Sequence, residues 1–257
     1  PNAGCGAADT SATLLCGPES VAVDAQNNLY VADTYNHRVL VFLDPATDAS
    51  PLAADFVLGQ GGSFASHDQH KDAPAGNNII EGFSYPRGLA VDGNDDLWVV
   101  DEYGYRVLKF NQPLTTDAIP DLVVGQPDLE IRIAGTFQLP LGVTVDSSGN
   151  VYVADIQRKA VLRFDAPATN VTVADQTYTD YAGPNDFDGP TDVTIDPSGN
   201  LYAAYVNARR VGVFAAPLAD NTGDHVIEGV NYPHGMAFDG AGNLYVALCN
   251  APYPCDG

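Results

Sequence analysis

The segment Pro18–Phe42 recurs with changes four more times along this chain. Each of the first four copies holds three short runs rich in Val, Tyr, Leu and Phe, and the fifth holds two. Turn residues separate these runs, a pattern typical of β-strands. A period of this kind constrains the fold more strongly than any single motif. The five copies begin at Pro18, Pro86, Pro140, Pro190 and Pro233.

Two features of the repeat indicate how its strands are arranged. The turn after the first strand starts with Asp and carries a late Gly, as in the segment 146–150. Asp there can accept a backbone hydrogen bond, and Gly can adopt a positive φ. The second strand is apolar on both faces, with Leu29 and Val31 on one and Tyr30 and Ala32 on the other. Because such a strand needs cover on both sides, the sequence predicts small antiparallel sheets stacked around an axis, an all-β β-propeller.

A fourth strand is predicted after each of the first four copies. Segments 55–60 and 121–126 are near duplicates, 224–229 is a looser version, and 177–181 is a polar candidate. Four strands per unit match a propeller blade. The chain 1–257 is predicted to be a single domain of about five blades, which cover 18–60, 86–126, 140–181, 190–229 and 233–257, the last completed by 9–16.

The repeat resembles the NHL repeat. The resemblance rests on the Pro-x-Gly-Val-Ala-Val-Asp type of opening, on Leu29-Tyr-Val-Ala-Asp33 and on Asn36-His-Arg-Val39, and it runs through nearly the whole chain. It implies a β-propeller. It does not imply one function, because the family includes lyases, sensor domains and protein- or RNA-binding modules.

The charge of the chain narrows these functions. It carries 11 Lys and Arg residues against 33 Asp and Glu residues, a formal net charge of −22. Because phosphate backbones bind through Lys and Arg, this balance argues against a nucleic-acid partner. The acidity suits a soluble surface, a saline setting or calcium binding. No stretch is apolar for the length that a transmembrane helix needs.

The four cysteines lie near the two ends of the chain, as Cys5, Cys16, Cys249 and Cys255. An even count of this kind predicts disulfides and an extracellular or cell-surface location. All three pairings stay open: pairing within each end needs the least rearrangement, and crossed pairing would join the termini. Buried free thiols are the alternative. The sequon at Asn170 predicts a glycosylation site and is consistent with export.

Two sets of repeated acidic residues are predicted to be structural. Asp33 with Arg38, and Asp101 with Arg106, face each other across a tight hairpin and are expected to pair. A second Asp recurs in the turn of every copy, and five copies argue against catalysis, which needs a residue once. These turn residues are Asp24, Asp92, Asp146, Asp196 and Asp239.

The hairpin pair is incomplete in two copies. The third copy has Asp155 opposite Ala160, and the fourth has Arg210 opposite Tyr205. Asp155 and Arg210 are therefore expected either to find other partners or to face solvent.

Four charged or titratable residues enter the innermost strands near the repeat prolines: Glu19, Arg87, Asp192 and His234. They are predicted to ring one mouth of the axial channel, where propeller ligands commonly bind. They would supply an acid, a base and a cation to an enzyme. Lyases and lactonases of similar architecture hold metal and catalytic groups around the axis, but no motif here matches theirs residue by residue. A polar channel lining is the alternative.

Two further segments are candidates for metal binding. His67 and His70, with nearby Asp residues, could hold Zn²⁺, and a polar loop is the alternative. Asp92, Asn94 and Asp96 match the first ligand positions of a calcium loop. That loop lacks the Gly and Glu of a complete calcium site, so a hairpin turn is the alternative. No cofactor is firmly predicted, and calcium is the one considered.

The last blade is predicted to lack its outer strands, because two prolines after residue 250 oppose a further internal strand. Segment 9–16 leads into the first repeat and is predicted to be the fourth strand that pairs with this blade. Alternatively, it completes a blade of a neighbouring subunit, and such strand donation can build a filament.

The function favoured by the sequence is that of an exported, non-catalytic binding or structural module. Its partner would be a protein or a further copy of the chain. The alternative is a metal-dependent hydrolase or lyase with its site at the channel mouth.

Overall fold

The computed structural model describes residues 10–47, 53–69, 82–114, 119–129, 135–179, 189–216, 218 and 222–249. Within these ranges the regular structure consists of β-strands and short 3-10 turns. None of the helical segments in the described ranges is long and apolar enough to cross a membrane.

Each of the first four repeats forms a four-stranded antiparallel sheet, called a blade below. Blade 1 contains β1 (Pro18–Val23), β2 (Leu29–Asp33), β3 (Arg38–Phe42) and β4 (Phe56–Leu58). Blade 2 contains β5 (Pro86–Val91), β6 (Leu97–Asp101), β7 (Arg106–Phe110) and β8 (Leu122–Val124). Blade 3 contains β9 (Pro140–Val145), β10 (Val151–Asp155), β11 (Ala160–Phe164) and β12 (Gln176–Tyr178). Blade 4 contains β13 (Asp192–Ile195), β14 (Leu201–Tyr205), β15 (Arg210–Phe214) and β16 (His225–Glu228), and the two-stranded blade 5 contains β17 (Pro233–Phe238) and β18 (Leu244–Leu248).

This strand order confirms the predicted all-β arrangement of four-stranded blades. Within each complete blade, consecutive strands are neighbours in the sheet and pair antiparallel. The polar fourth strand predicted for blade 3 also forms, as β12, where Tyr178 pairs with Val161. The total number of blades stays a prediction.

Contacts divide the chain into two compact units, and unit 1 comprises blades 1 and 2 with the segment Ala168–Thr172. The innermost strands β1 and β5 lie side by side. Between the blades, Tyr30 and Ala32 of β2 share one buried cluster with Leu97 and Val99 of β6. The face of β2 that carries Tyr30 and Ala32 therefore packs against blade 2. This contact explains why that face is apolar, like the opposite face of the strand.

Unit 2 comprises blades 3, 4 and 5. The innermost strands β9, β13 and β17 lie next to one another in that order. Tyr152, Leu201 and Tyr205 belong to the cluster that joins blades 3 and 4. Blade 5 has two strands within the part of the chain that the structure describes. Tyr245 of β18 is 61% exposed, whereas the equivalent Tyr30 and Tyr152 are 1% exposed.

A later segment covers the outer edge of blade 2. Val171 forms a parallel bridge with Val124, and it accepts a hydrogen bond from the Gly125 N–H at 2.7 Å. The Val171 N–H in turn donates to the Val123 carbonyl at 3.2 Å. Because an open strand edge is a template for unwanted pairing, this segment protects β8.

The prediction that segment 9–16 forms a strand is wrong for its described residues 10–16, which form turns and bends. This segment packs on blade 1. The Ala12 carbonyl accepts the Ala54 N–H at 2.8 Å, and the Ser11 and Leu14 carbonyls accept hydrogen bonds from Arg38 at 2.9 and 3.0 Å. The Arg38 guanidinium is fully buried, so it needs these carbonyl acceptors. In a strand, carbonyls of this segment would instead accept hydrogen bonds from the neighbouring strand of the sheet.

Within residues 233–249, the last blade consists of β17 and β18, which pair with each other. The predicted loss of its outer strands concerns the residues after 249 and stays a prediction. The prolines at positions 252 and 254 and the rest of segment 250–257 lie outside the described residues.

Candidate functional site

Two of the four predicted channel-mouth residues meet in unit 1. Glu19 of β1 and Arg87 of β5 form an ion pair with 2.6 Å between Oε1 and Nη1. Glu102, at the start of the 3-10 turn after β6, accepts a hydrogen bond from Arg87 Nε at 2.7 Å. The side-by-side packing of β1 and β5 brings the first two residues together, and the turn after β6 supplies the third.

Burial differs among the three side chains. The exposed fraction is 21% for Glu19, 13% for Arg87 and 2% for Glu102. Burial raises the pKa of the Glu102 carboxyl, and the Arg87 charge opposes that shift. The most accessible charge in the group is therefore the Glu19 carboxylate, while Arg87 is engaged by two protein carboxylates.

Sequence reasoning missed Glu102. The signal lay in the comparison of the 3-10 turns, because blade 1 has Thr34 where blade 2 has Glu102. Thr34 is also used between the blades, since its hydroxyl donates to the Pro86 carbonyl at 2.7 Å.

The other two channel-mouth residues, Asp192 and His234, lie in unit 2. Asp192 starts β13, and its Oδ2 accepts the N–H of Met236 from β17 at 2.7 Å. The Gly142 backbone of β9 approaches so closely that a Cβ there would come within 2.7 Å of Asp192 Oδ1. Burial raises the pKa of Asp192 to about 7, and hydrogen bonds from the Met236 and Val193 N–H groups oppose the shift.

This setting gives Asp192 a property suited to proton transfer near neutral pH. His234 lies on β17 two residues before Met236 and is partly exposed. The prediction that all four residues ring one channel mouth stays a prediction.

Both predicted hairpin pairs are confirmed. Asp33 faces Arg38 across β2 and β3, with 2.7 Å between Oδ2 and Nε. Asp101 faces Arg106 across β6 and β7 at 2.8 Å. All four side chains are fully buried. The carboxylates also accept backbone N–H groups that precede the repeat, Cys16 N–H for Asp33 and Ser84 N–H for Asp101, each at 2.5 Å.

Of the two alternatives for Asp155 and Arg210, exposure to solvent is wrong. Asp155 is fully buried and Arg210 is 7% exposed. Asp155 takes other partners, because its carboxylate accepts the N–H groups of Gln138 at 2.7 Å and of Leu139 and Arg158 at 3.0 Å. The Arg210 guanidinium lies 5.4 Å from the ring centre of Tyr205, the residue opposite it in the ladder.

The five repeated turn carboxylates share one structural role. In blade 3, Asp146 Oδ1 accepts the N–H groups of Ser148 and Asn150, and its Oδ2 accepts the Tyr152 hydroxyl at 3.1 Å. Asp24, Asp196 and Asp239 accept the hydroxyl of the equivalent tyrosine at 3.2–3.3 Å, and Asp92 accepts Trp98 Nε1–H at 3.0 Å. Each Asp thus ties its turn to the aromatic residue of the second strand.

The calcium candidates take part in the same turn. Asp92 accepts the N–H groups of Asn94 and Asp96 at 2.9 and 3.2 Å. Asp96 pairs with Lys109 Nζ at 2.7 Å and accepts the Gln112 N–H at 3.1 Å. Within the described ranges, no group of three or more His, Cys, Asp or Glu side chains is arranged to hold a metal ion. These residues form a hairpin turn, and calcium binding by them stays a prediction.

The zinc candidate His67 lies near His37, a residue that sequence reasoning did not connect to it. Burial is the main cause that lowers the pKa of His37, and His67 contributes to the shift. His37 Nδ1 accepts the Tyr85 N–H at 3.2 Å, so His37 has a structural role at the start of blade 2. His70 lies outside the described residues.

The described cysteines, Cys16 and Cys249, are not free thiols. Cys5 and Cys255 lie outside the described residues, so the disulfide pairing stays a prediction. Asn170 is exposed, and its side-chain Oδ1 accepts the Val123 N–H at 3.0 Å beside the covered edge of blade 2. Glycosylation at Asn170 also stays a prediction.

Unit 2 contains a cavity of about 590 Å³ on the turn side of blades 3, 4 and 5. Its lining includes Asp146, Asp196 and Asp239. The carboxylates of these residues already accept hydrogen bonds within their own turns. The cavity is therefore lined by structural turns, and Asp192 is not among its lining residues.

The sequence profile of the NHL repeat matches residues 15–42, 83–110 and 137–164. No curated protein sequence matches the chain. Solved structures do match, at sequence identities that show the fold alone.

Three of these structures illustrate the likeness. Streptogramin B lyase is 15% identical with a TM-score of 0.54, over 90% of this chain and 62% of that one. A chain of the nidogen–laminin complex is 16% identical with a TM-score of 0.59, over 90% and 72% of the two chains. A proposed gluconolactonase is 16% identical with a TM-score of 0.58, over 90% and 71%.

The present chain thus spans less than two thirds of the length of the lyase. The matched segments coincide with the first three copies of the repeat, so the resemblance to the NHL repeat is confirmed. The chain contains NHL repeats and has a β-propeller fold.

Proposed function

We propose that this chain is an exported, non-catalytic β-propeller that serves as a binding or structural module for a protein partner. Export is supported by the composition, which combines a net charge of −22 with cysteines confined to the ends of the sequence. A binding role suits a fold whose solved examples include a protein complex, that of nidogen and laminin.

This proposal rests mainly on one observation, which is that charged side chains of the protein are paired with other groups of the protein. Arg87 is engaged by Glu19 and Glu102, and Asp101 by Arg106. The carboxylates of the repeated turns accept hydrogen bonds from the backbone N–H groups of their own turns. A catalytic acid, base or cation must instead be available to the substrate.

A metal-dependent hydrolase or lyase is the second candidate, and Asp192 favours it. A carboxyl with a pKa of about 7 is the kind of group that general acid–base catalysis uses. Two of the structural neighbours are named as a lyase and a proposed gluconolactonase, and the second name would make a lactone the substrate class.

Metal dependence separates the two candidates. The purified protein is treated with EDTA, dialysed, and melted alone and with Ca²⁺ or Zn²⁺ while metal content is measured by mass spectrometry. The binding module is expected to melt within about 1 °C in all samples, because a ligand must bind the native state to stabilise it. A stoichiometric metal with a stabilisation of several degrees would favour the metalloenzyme instead.

A further inference from the structure

Three tyrosines form a ladder in unit 1. The rings of Tyr35 and Tyr85 meet edge to face with 5.6 Å between centroids, and those of Tyr85 and Tyr103 meet in the same way at 5.0 Å. Tyr35 is 37% exposed and Tyr103 is 42% exposed. His37 supports the middle ring from within, with its own ring 4.6 Å from that of Tyr85. The middle ring of the ladder therefore contacts His37, and the two outer rings are exposed.

The backbone of the middle tyrosine is strained. Tyr85 precedes the repeat proline and has a φ of 60°, in the left-handed region that disfavours a side chain. Blade 1 has Gly17 at the equivalent position, with a φ of 55°, so the repeat itself accommodates glycine there. Blade 5 has Tyr232 at the same position with a φ of 47°, so the left-handed conformation is a feature of the repeat. Compared with Gly17 in blade 1, Tyr85 adds an aromatic ring at this position.

Carboxylates adjoin the ladder. Glu102 directly precedes Tyr103 and donates its N–H to the Tyr85 carbonyl at 3.2 Å. The charge of Glu102 is the main cause that raises the pKa of Tyr103, and the Arg87 charge opposes that shift. Glu19, bound to the same Arg87, is the most exposed charge of the group.

We propose that the tyrosine surface, formed by Tyr35, Tyr85, Tyr103 and Glu19, binds a lysine- or arginine-bearing segment of a protein partner. Tyrosine offers a rigid contact surface at low entropic cost, and its ring attracts cations. A net charge of −22 also draws a basic partner toward the chain. The proposal rests on the proposed function and names the partner class of that binding module.

The tyrosines also fit a sugar, so a neutral oligosaccharide is the competing ligand. The charges favour the basic peptide. A carboxylate beside the rings, within a strongly acidic chain, adds attraction for a cation, whereas a neutral sugar gains nothing from the overall field.

The test measures the binding of a fluorescent peptide of alternating Lys and Gly by anisotropy, in about 0.15 M salt to screen long-range attraction. The variant Tyr35→Ser/Tyr103→Ser keeps the formal charge of the chain. Phe56→Ser is the matched control, because Phe56 is also in unit 1 and is 47% exposed. Circular dichroism checks that each variant is folded.

The expected result is saturable binding to the wild type, a loss of affinity of about tenfold in the double tyrosine variant, and a change of less than about twofold in Phe56→Ser. Glu19→Gln should weaken binding by about threefold, and it serves as the second variant if the tyrosine variant is unfolded. Equal affinity in the wild type and in the folded variants at Tyr35, Tyr103 and Glu19 would overturn the proposal.

Three other outcomes would also overturn it: an equal loss in Phe56→Ser, no saturable binding of the peptide, or preferential binding of maltohexaose. The metal-dependent melting experiment does not involve the tyrosine surface. Failure of this proposal and failure of the proposed function are therefore distinguishable.

Discussion

Asp33 and Arg38 lie directly opposite each other across the hairpin of β2 and β3, with 2.7 Å between Oδ2 and Nε and both side chains fully buried. Arg38 also donates to the carbonyls of Ser11, Leu14 and Phe64. One buried guanidinium thus joins the hairpin, the segment before blade 1 and the loop after β4.

Removal of the Arg38 charge is expected to be strongly destabilising. Arg38→Met leaves the Asp33 carboxylate buried without its cation, which should lower the free energy of unfolding by about 3–5 kcal/mol. The measurement is urea denaturation. The control is Asp165→Ala, which breaks the ion pair with Arg163. Asp165 is 54% exposed, so the control should cost less than about 1 kcal/mol. Similar losses in both variants would contradict the role given to burial.

Trp98 is expected to be the most sensitive of the repeated aromatic residues. It is 2% exposed and donates its Nε1–H to Asp92 at 3.0 Å. Trp98→Ala should cost about 3–5 kcal/mol in urea denaturation, because it leaves a large cavity. Trp98→Phe keeps much of the volume and should cost clearly less. A loss below about 1 kcal/mol in the Ala variant would show that the side chain does not pack as described.

Asp192 is expected to make stability depend on pH. Its folded pKa of about 7 lies above the ordinary value of 3.8. The native state therefore holds the proton more tightly than the unfolded state. The contribution is full below about pH 4 and is lost as the pH rises through 7.

Urea denaturation between pH 4 and 8 measures this effect. The expected result is a decline in stability across that window that is reduced in Asp192→Asn and retained in the control Asp165→Asn. Parallel profiles for the wild type and Asp192→Asn would mean that Asp192 has no raised pKa.

Deletion of residues 1–17 is expected to weaken blade 1. It removes the Ser11 and Leu14 acceptors of Arg38 and the Cys16 N–H that Asp33 accepts. The melting temperature should fall by about 5 °C or more. Hydrogen exchange should accelerate in β3 and β4 and stay unchanged in β18. Faster exchange in β18, with blade 1 unaffected, would restore the original prediction that this segment pairs with the last blade.

The strands and the hairpin pairs could be predicted from sequence because both depend on local spacing. Asp33 and Arg38 are close in sequence on either side of one turn, so their pairing follows from the hairpin. The repeated Asp likewise acts within its own turn. These features need no knowledge of how blades are placed.

The remaining features depend on contacts between distant segments. The Glu19–Arg87–Glu102 group requires β1 and β5 to be neighbours and a turn after β6 of a particular shape. The stretch Leu14-Leu15 has a strand-like composition. The segment nevertheless forms turns, in which the Ser11 and Leu14 carbonyls accept hydrogen bonds from the buried Arg38. Burial raises the pKa of Asp192. Gly142 of β9 and Met236 of β17 contact this residue, and its sequence neighbours do not reveal those contacts.

The most direct test of the proposed function is an assay for lactone hydrolysis by the wild type and by Asp192→Asn, each supplemented with Ca²⁺ or Zn²⁺. A binding module should release product no faster than buffer with the same metal, and the substitution should change nothing. Metal-dependent turnover by the wild type that is lost in a folded Asp192→Asn variant would contradict the account and identify an enzyme.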